Sequence, residues 1–278
     1  MKRIYTYGGS LEKRNLTVAD IIESKKSGKK LTQVTAQNAE EAEIISDQNV
    51  DMIITGSDWF ADVRSGARNT FITAALFAGR YITNEEILEG AIKAAMEGAD
   101  SVLTPRGLGV VEMLANEGLA VQGHVGMVPS SSTQLGGLRT VGKTAEEAMK
   151  ILDDMRRLED AGAFGAEVEC VADDALEEIK KHTSLVINSL GSGSSGDVIF
   201  LFFEDICGET GNPPGKMPRH AKSWGDGAAI RQQLDKERRK AIKGFSNDVK
   251  EGSFPDKEHV VSMLPGEKDQ LIKALNDR

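Results

Sequence analysis

Two glutamates separated by one residue interrupt an apolar run, Ala166-Glu167-Val168-Glu169-Cys170-Val171. In an extended strand, residues i and i+2 share a face, so Glu167 and Glu169 project together. Two carboxylates on one face drive their protonation equilibria apart or share a cation. A buried carboxylate needs a partner, so Glu169 is either half of a structural ion pair or a general base. His124 stands between glycines in Gly123-His124-Val125-Gly126, where backbone and ligand can come close. Alone, such a histidine is as readily a satisfied core residue. Polar residues also gather in Thr35, Gln37 and Asn38, in Gly56-Ser57-Asp58, in Thr104-Pro105-Arg106-Gly107, in Asn188 to Gly193 and in Glu204-Asp205. Asp58 either caps a following helix or meets a ligand. Arg106 is either a surface residue or a ligand contact. The Gly/Ser stretch 189–195 is either a phosphate-binding loop or a flexible one, since neither GxGxxG nor a P-loop lysine accompanies it.

These groups share one kind of place: each follows a short apolar run. Amphipathic segments of 8–16 residues alternate with apolar runs of 4–6. Ala39 to Gln48 leads into Asp51–Thr55, and Asn84 to Glu97 into Ser101–Leu103. Val110 to Asn116 leads into Leu119–Val121, Ala145 to Asp160 into Ala166–Val171, and Asp173 to Lys181 into Ser184–Asn188. Glycine often closes the helical part, as a C-cap does. Leu31 to Thr35 supplies a first strand and Val198 to Phe203 a last one. The alternation predicts βαβ units and a parallel sheet. An eighth strand falls within Phe71–Phe77, a stretch ambiguous between strand and helix, and the sector from Asp58 to Thr83 barely holds a helix and a strand. A chain of 278 residues suffices for one (βα)8 barrel. The expected domain is therefore 1–278, a TIM barrel of α/β class that is irregular around its third strand. Val18 to Lys26, with Thr17 as N-cap, forms an N-terminal helix that closes the barrel bottom. Ala228 to Lys243 and Lys257 to Asn276 form a helical tail. The stretch Gly208 to Pro218 reads as a long functional loop.

In such a barrel, chemistry sits at the C-terminal ends of the strands, which is where the polar clusters lie. The net charge of −9 argues against nucleic acid or an anionic membrane as partner. No run approaches the ~18 apolar residues of a membrane span, and Met1 to Gly9 lacks the apolar core of a signal peptide. A soluble cytoplasmic protein is expected. Cys170 and Cys207 lie in apolar runs without CxxC spacing and read as buried thiols.

Several pieces occur in the order found in ketopantoate hydroxymethyltransferases. They are Leu16-Thr17-Val18-Ala19-Asp20-Ile21-Ile22 through Gly28-Lys29-Lys30, and Gly123-His124-Val125-Gly126-Met127-Val128-Pro129 with Gly136-Gly137 and Val141-Gly142. Next come Glu159-Asp160-Ala161-Gly162-Ala163, Glu169-Cys170-Val171 and Gly191-Ser192-Gly193. Pro218-Arg219-His220-Ala221-Lys222 and Gly252-Ser253-Phe254-Pro255 complete the set. The chain thus resembles that family from about Leu16 to Met263. The resemblance implies a barrel of the phosphoenolpyruvate mutase and isocitrate lyase superfamily. It implies aldol-type transfer of a hydroxymethyl group from methylenetetrahydrofolate to 3-methyl-2-oxobutanoate, a step of pantothenate biosynthesis, in a homo-oligomer, commonly a decamer. It places Glu169 as the base and His124 in the substrate pocket; Ser57, Asp58, Arg106 and Ser192, at or just past strand ends, are the further expected substrate contacts.

The resemblance also implies Mg2+, but its ligand positions are altered. The family's Gly-Asp-Ser reads Gly56-Ser57-Asp58 here, so Ser57 stands at the ligand position. The other two ligand positions fall at Ala75 and Pro105, and a substrate lysine position falls at Leu103. Three readings follow. The transferase reaction is kept with a rebuilt cation site, for which Asp58 and Glu167 are the available carboxylates. Alternatively, a divergent superfamily C–C lyase or transferase acts on another 2-oxo acid without the usual metal site, Arg106 facing the enolate. In the third reading, the barrel is a non-catalytic binding protein.

Overall fold

The computed structural model describes residues 1–77, 79–209 and 217–277 and divides them into two compact units, Met1–Gly225 and Asp226–Arg278. The first opens with an antiparallel hairpin, β1 (Lys2–Tyr5) and β2 (Leu11–Arg14), which the sequence pattern did not announce. Helix α1 (Val18–Ser27) follows, with Thr17 and Asp20 closing a capping box and Gly28 ending it in the left-handed conformation. The repeat then runs β3 (Leu31–Thr35), α2 (Ala39–Asp47), β4 (Met52–Gly56), α3 (Phe60–Gly66) and β5 (Phe71–Ala75). It continues with α4 (Asn84–Met96), β6 (Ser101–Leu103), α5 (Leu108–Asn116) and β7 (Val121–Gly126). It ends with α6 (Ala145–Asp160), β8 (Gly165–Glu169), α7 (Asp173–Ile179), β9 (Val186–Leu190), β10 (Val198–Leu201) and α8 (Phe203–Cys207).

Strands β3 to β10 close into a parallel barrel in sequential order, β10 pairing with β3. This is a (βα)8 TIM barrel. The sector after Asp58 holds both its elements because α3 spans only seven residues and β5 only five. Phe71–Phe77 is a strand only as far as Ala75, and the last strand stops at Leu201, so that Phe203 begins α8.

The first inward residues of five strands, Leu31, Met52, Phe71, Val186 and Val198, cluster with Ile21 of α1. That helix closes the N-terminal end of the barrel, as expected. Above lies a polar layer. Gln122 Nε2 donates to the Thr73 and Ser101 hydroxyls at 3.1 Å each, and the Asn188 amide donates to Gln122. The top layer is apolar on most strands, with Ile54, Ala75, Leu103, Leu190 and Phe200 in one cluster. Outside, the helices seal the sheet through single faces; α6 buries Ile151, Leu152, Met155 and Leu158, a helical spacing.

At the barrel bottom, Asp100 accepts from Arg14 Nε and Arg64, both at 2.7 Å, and from the Ile72 N–H at 2.9 Å. The second unit contains α9 (Gly227–Glu251) and α10 (Glu267–Asn276), exposed along their lengths. Helix α9 runs eight residues past the expected Lys243, and no helix among the described residues is long and apolar enough to cross a membrane. Of the expected loop Gly208 to Pro218, residues 210–216 lie outside the described residues.

Candidate active site

Strand alternation carries Glu167 and Glu169 of β8 and His124 of β7 to the inside of the barrel. The ladder pairs His124 with Glu167 and Gly126 with Glu169. Val125 and Val168 turn outward into the helix-packed core. Gly126 has φ +90, and a Cβ there would strike the Glu169 carbonyl oxygen, so glycine is required where β7 and β8 part. Cys170 follows at φ 50, an uncommon conformation for a non-glycine residue at the end of a functional strand.

His124 Nε2 lies 3.1 Å from Glu169 Oε2 and 3.6 Å from Glu167 Oε1. The three side chains are 8%, 13% and 9% exposed, Glu167 being the deeper carboxylate. Burial alone would strip the proton from His124. The hydrogen bond to Glu169 and the charges of both glutamates outweigh it and raise the histidine above its ordinary value. Burial pushes Glu167 up, Glu169 pushes the same way, and His124 opposes both.

The trio opens into a cavity of about 520 Å³ at the C-terminal ends of the strands. Its wall includes Thr35 and Gln37 from the first βα junction, Trp59 and Phe77 from the next two, and Phe200, Phe202 and Glu204 from the last. Phe200 and Phe202 pack at 5.4 Å between centroids. No lysine or arginine lines this cavity among the described residues. Sequence reasoning reached Thr35, Gln37, Glu204, His124 and both glutamates. It missed the aromatic wall, whose only signal is a large aromatic just beyond an apolar run.

The other expected site residues are placed elsewhere. The Ser57 hydroxyl lies 2.8 Å from the Tyr81 hydroxyl and faces an outer cleft. Asp58 faces the same cleft and accepts from Arg80 Nε at 3.1 Å through both oxygens. Its expected partnership with Glu167 at a cation is therefore not assembled: Asp58 lies just past the strand end on a short 3-10 turn that carries it outward, while Glu167 points into the barrel. Arg106 turns back and donates to the Tyr81 and Ile82 carbonyls at 2.6 and 3.3 Å, so it clamps the loop after β5 and does not face the cavity. Ser192 is fully buried. It donates to Val168 O and accepts from Val171 N, both at 2.8 Å, and so ties the end of β8 to the loop after β9. Cys170 and Cys207, expected to be buried, are half-buried and free, and burial pushes both thiols up.

His124, Glu167 and Glu169 form the one group among the described residues with three donor atoms close enough to share a metal ion, all within 4.8 Å of one another. The Mg2+ that the resemblance implies does not fit its expected place. Ala75 and Pro105 line the cavity without a side-chain oxygen, and Ser57 is turned away. Magnesium favours a near-octahedral shell of oxygens, whereas the trio offers an imidazole nitrogen already within hydrogen-bond distance of a carboxylate.

The sequence model of ketopantoate hydroxymethyltransferase matches residues 57–257. A 3-methyl-2-oxobutanoate hydroxymethyltransferase of Pyrobaculum calidifontis is 31% identical, the match covering 90% of this chain and 99% of the relative. One of Hyperthermus butylicus is 28% identical over 96% and 97%. Among solved structures, 2,3-dimethylmalate lyase, a member of the phosphoenolpyruvate mutase and isocitrate lyase superfamily, superposes with TM-score 0.51 at 11% identity, covering 95% of this chain and all of that one. A phosphonopyruvate hydrolase solved with oxalate and Mg2+ gives 0.50 at 10% identity, covering 95% and 99%. At these identities the structures share the fold.

Proposed function

From the premise that the chain belongs to the ketopantoate hydroxymethyltransferase family, we propose that it transfers a hydroxymethyl group to a 2-oxo acid, with Glu169 as the base. The observation that carries this reading is the contact between Glu169 and His124 at the wall of the strand-end cavity. Proton abstraction beside a ketone needs a base in reach of the cavity and a group that favours the developing enolate. Glu169 would take the proton from the carbon next to the ketone, and the C–H electron pair would pass to the carbonyl oxygen. The enolate carbon then attacks a one-carbon electrophile, for which methylenetetrahydrofolate is the co-substrate that the motif resemblance implies; the bond from that carbon to the folate nitrogen breaks, water supplies the hydroxyl oxygen and tetrahydrofolate leaves. His124 orients Glu169 and, by holding its own proton, balances part of the charge. The aromatic wall excludes water from the enolate and offers stacking surface to a flat co-substrate.

A second reading, a related C–C bond reaction on a different 2-oxo acid, is favoured by one feature. The carboxylate of 3-methyl-2-oxobutanoate would find no lysine or arginine in the described lining. The test is direct. The full chain is incubated with 3-methyl-2-oxobutanoate and methylenetetrahydrofolate, with and without a divalent chelator, and products are read by mass spectrometry. A product that has gained CH2O, one hydrogen being replaced by a hydroxymethyl group, supports the first reading. Its absence, together with turnover of a different 2-oxo acid, selects the second.

A further inference from the structure

We propose that Glu167 is a second catalytic residue of this site: a protonated carboxylic acid that donates a hydrogen bond to the substrate's carbonyl oxygen as the enolate forms. The inference rests on the reading of Glu169 as base and adds what that reading lacks, a group facing the enolate oxygen.

Geometry carries the argument. Glu167 shares a strand face with Glu169, one pleat deeper, and both line the same cavity. Its side chain is nine-tenths buried, yet it makes no hydrogen bond with any described residue; His124 Nε2 stands 3.6 Å from it. The groups packed against it can be counted. From β7 comes His124, and along β8 comes Glu169. From β9 comes Asn188, which is uncharged and lies opposite Glu167 in the ladder. Of the remaining strands, β3 turns the uncharged Gln33 and Thr35 inward, and the others contribute the apolar cluster of Ile54, Ala75, Leu103 and Phe200. The one other titratable group of the lining, Glu204, is also acidic. A single imidazolium therefore faces two carboxylates, and it stands closer to Glu169. One positive charge offsets one negative charge. The deeper, unbonded carboxyl is the one that keeps its proton, in line with its upward shift by burial. A neutral carboxylic acid at the base of the cavity has an O–H and no partner for it, which is what an enolate oxygen requires. As Glu169 takes the carbon-bound proton, the electron pair moves onto the carbonyl oxygen and the Glu167 hydrogen bond strengthens. The Glu167 proton stays on Glu167, so the step balances without a further reactant.

The test uses the full chain and two readouts. The first is exchange of the proton next to the ketone of 3-methyl-2-oxobutanoate in deuterated water, for wild type, Glu167→Gln, Glu167→Leu and Glu169→Gln. An amide can still donate, so Glu167→Gln is expected to stay within about tenfold of wild type, whereas Glu167→Leu falls by about 10²–10³-fold. The second is the infrared band of a protonated carboxyl at neutral pH, expected in wild type and missing from Glu167→Gln. Equal loss in both Glu167 variants, wild-type rates in both, or no band overturns the proposal. So does a stoichiometric divalent ion that is needed for exchange and is lost in Glu167→Gln, which would make Glu167 a metal ligand. A wild type without exchange overturns the Glu169 reading instead, and the band then still decides whether Glu167 holds a proton.

Discussion

Asp100 offers a perturbation whose size can be worked out. Its carboxylate takes three hydrogen bonds, from Arg14, Arg64 and the Ile72 backbone. The side chains of Arg14, Asp100 and Arg64 are 2%, 6% and 12% exposed. Burial drives Arg64 down to about 10, with Asp100 pulling it back up, so it remains charged at neutral pH. Asp100→Ala would leave two buried guanidinium groups beside each other without their hydrogen-bonded counter-charge, Glu12 acting on Arg64 more weakly. Breaking a buried pair in this way costs about 3–5 kcal/mol. For a unit of this size, each kcal/mol moves the midpoint by about 2–4 °C, so the fall should be roughly 6–20 °C. Asp100→Asn keeps one acceptor oxygen and should fall less far. Thermal and urea unfolding measure both. The cluster lies at the end of the barrel opposite the site, so the exchange rate below the midpoint should be unchanged. A loss below about 1 kcal/mol for Asp100→Ala, or a large loss of rate in still-folded protein, would refute the reasoning.

Ser192→Ala orphans the buried Val171 N–H and removes a second donor from the Val168 carbonyl, which keeps its ladder bond to β9. It should cost about 1–3 kcal/mol in unfolding experiments and leave KM for the oxo acid unchanged, because Ser192 does not line the cavity. Glu167 and His124 both hold their protons more tightly in the folded chain than their ordinary values of 4.5 and 6.5 allow. The stability they supply is complete below those values and is lost as pH rises through the raised native ones. Glu167→Gln should therefore flatten the fall in midpoint that begins above the ordinary glutamate value; parallel profiles for the two proteins would contradict this.

The barrel was legible because helical and apolar segments alternate with regular spacing, and the strand ends then located the site. The stretch Phe71–Ala75 resisted because both of its faces are buried, so it shows no period that separates strand from helix. The hairpin of Lys2–Tyr5 and Leu11–Arg14 resisted for the opposite reason: it is short, largely exposed and charged, with only Arg14 fully buried. In the site, period-two alternation was enough to place Glu167 and Glu169 on one inner face. Nothing similar governs residues just past a strand, where the chain can turn either way. So Asp58 and Arg106 were rightly put at strand ends, but their side chains bind Arg80 and the carbonyls of Tyr81 and Ile82, away from the cavity. Ser192 sits beside the site in sequence and serves the backbone in space.

The claim that Glu169 takes a proton from carbon is most directly tested by following the signal of the hydrogen next to the ketone of a 2-oxo acid by NMR in deuterated water. Wild-type protein should erase that signal, and Glu169→Gln, folded and with an unshifted midpoint, should leave it at the rate of buffer alone. Exchange by the variant at the wild-type rate would contradict the account.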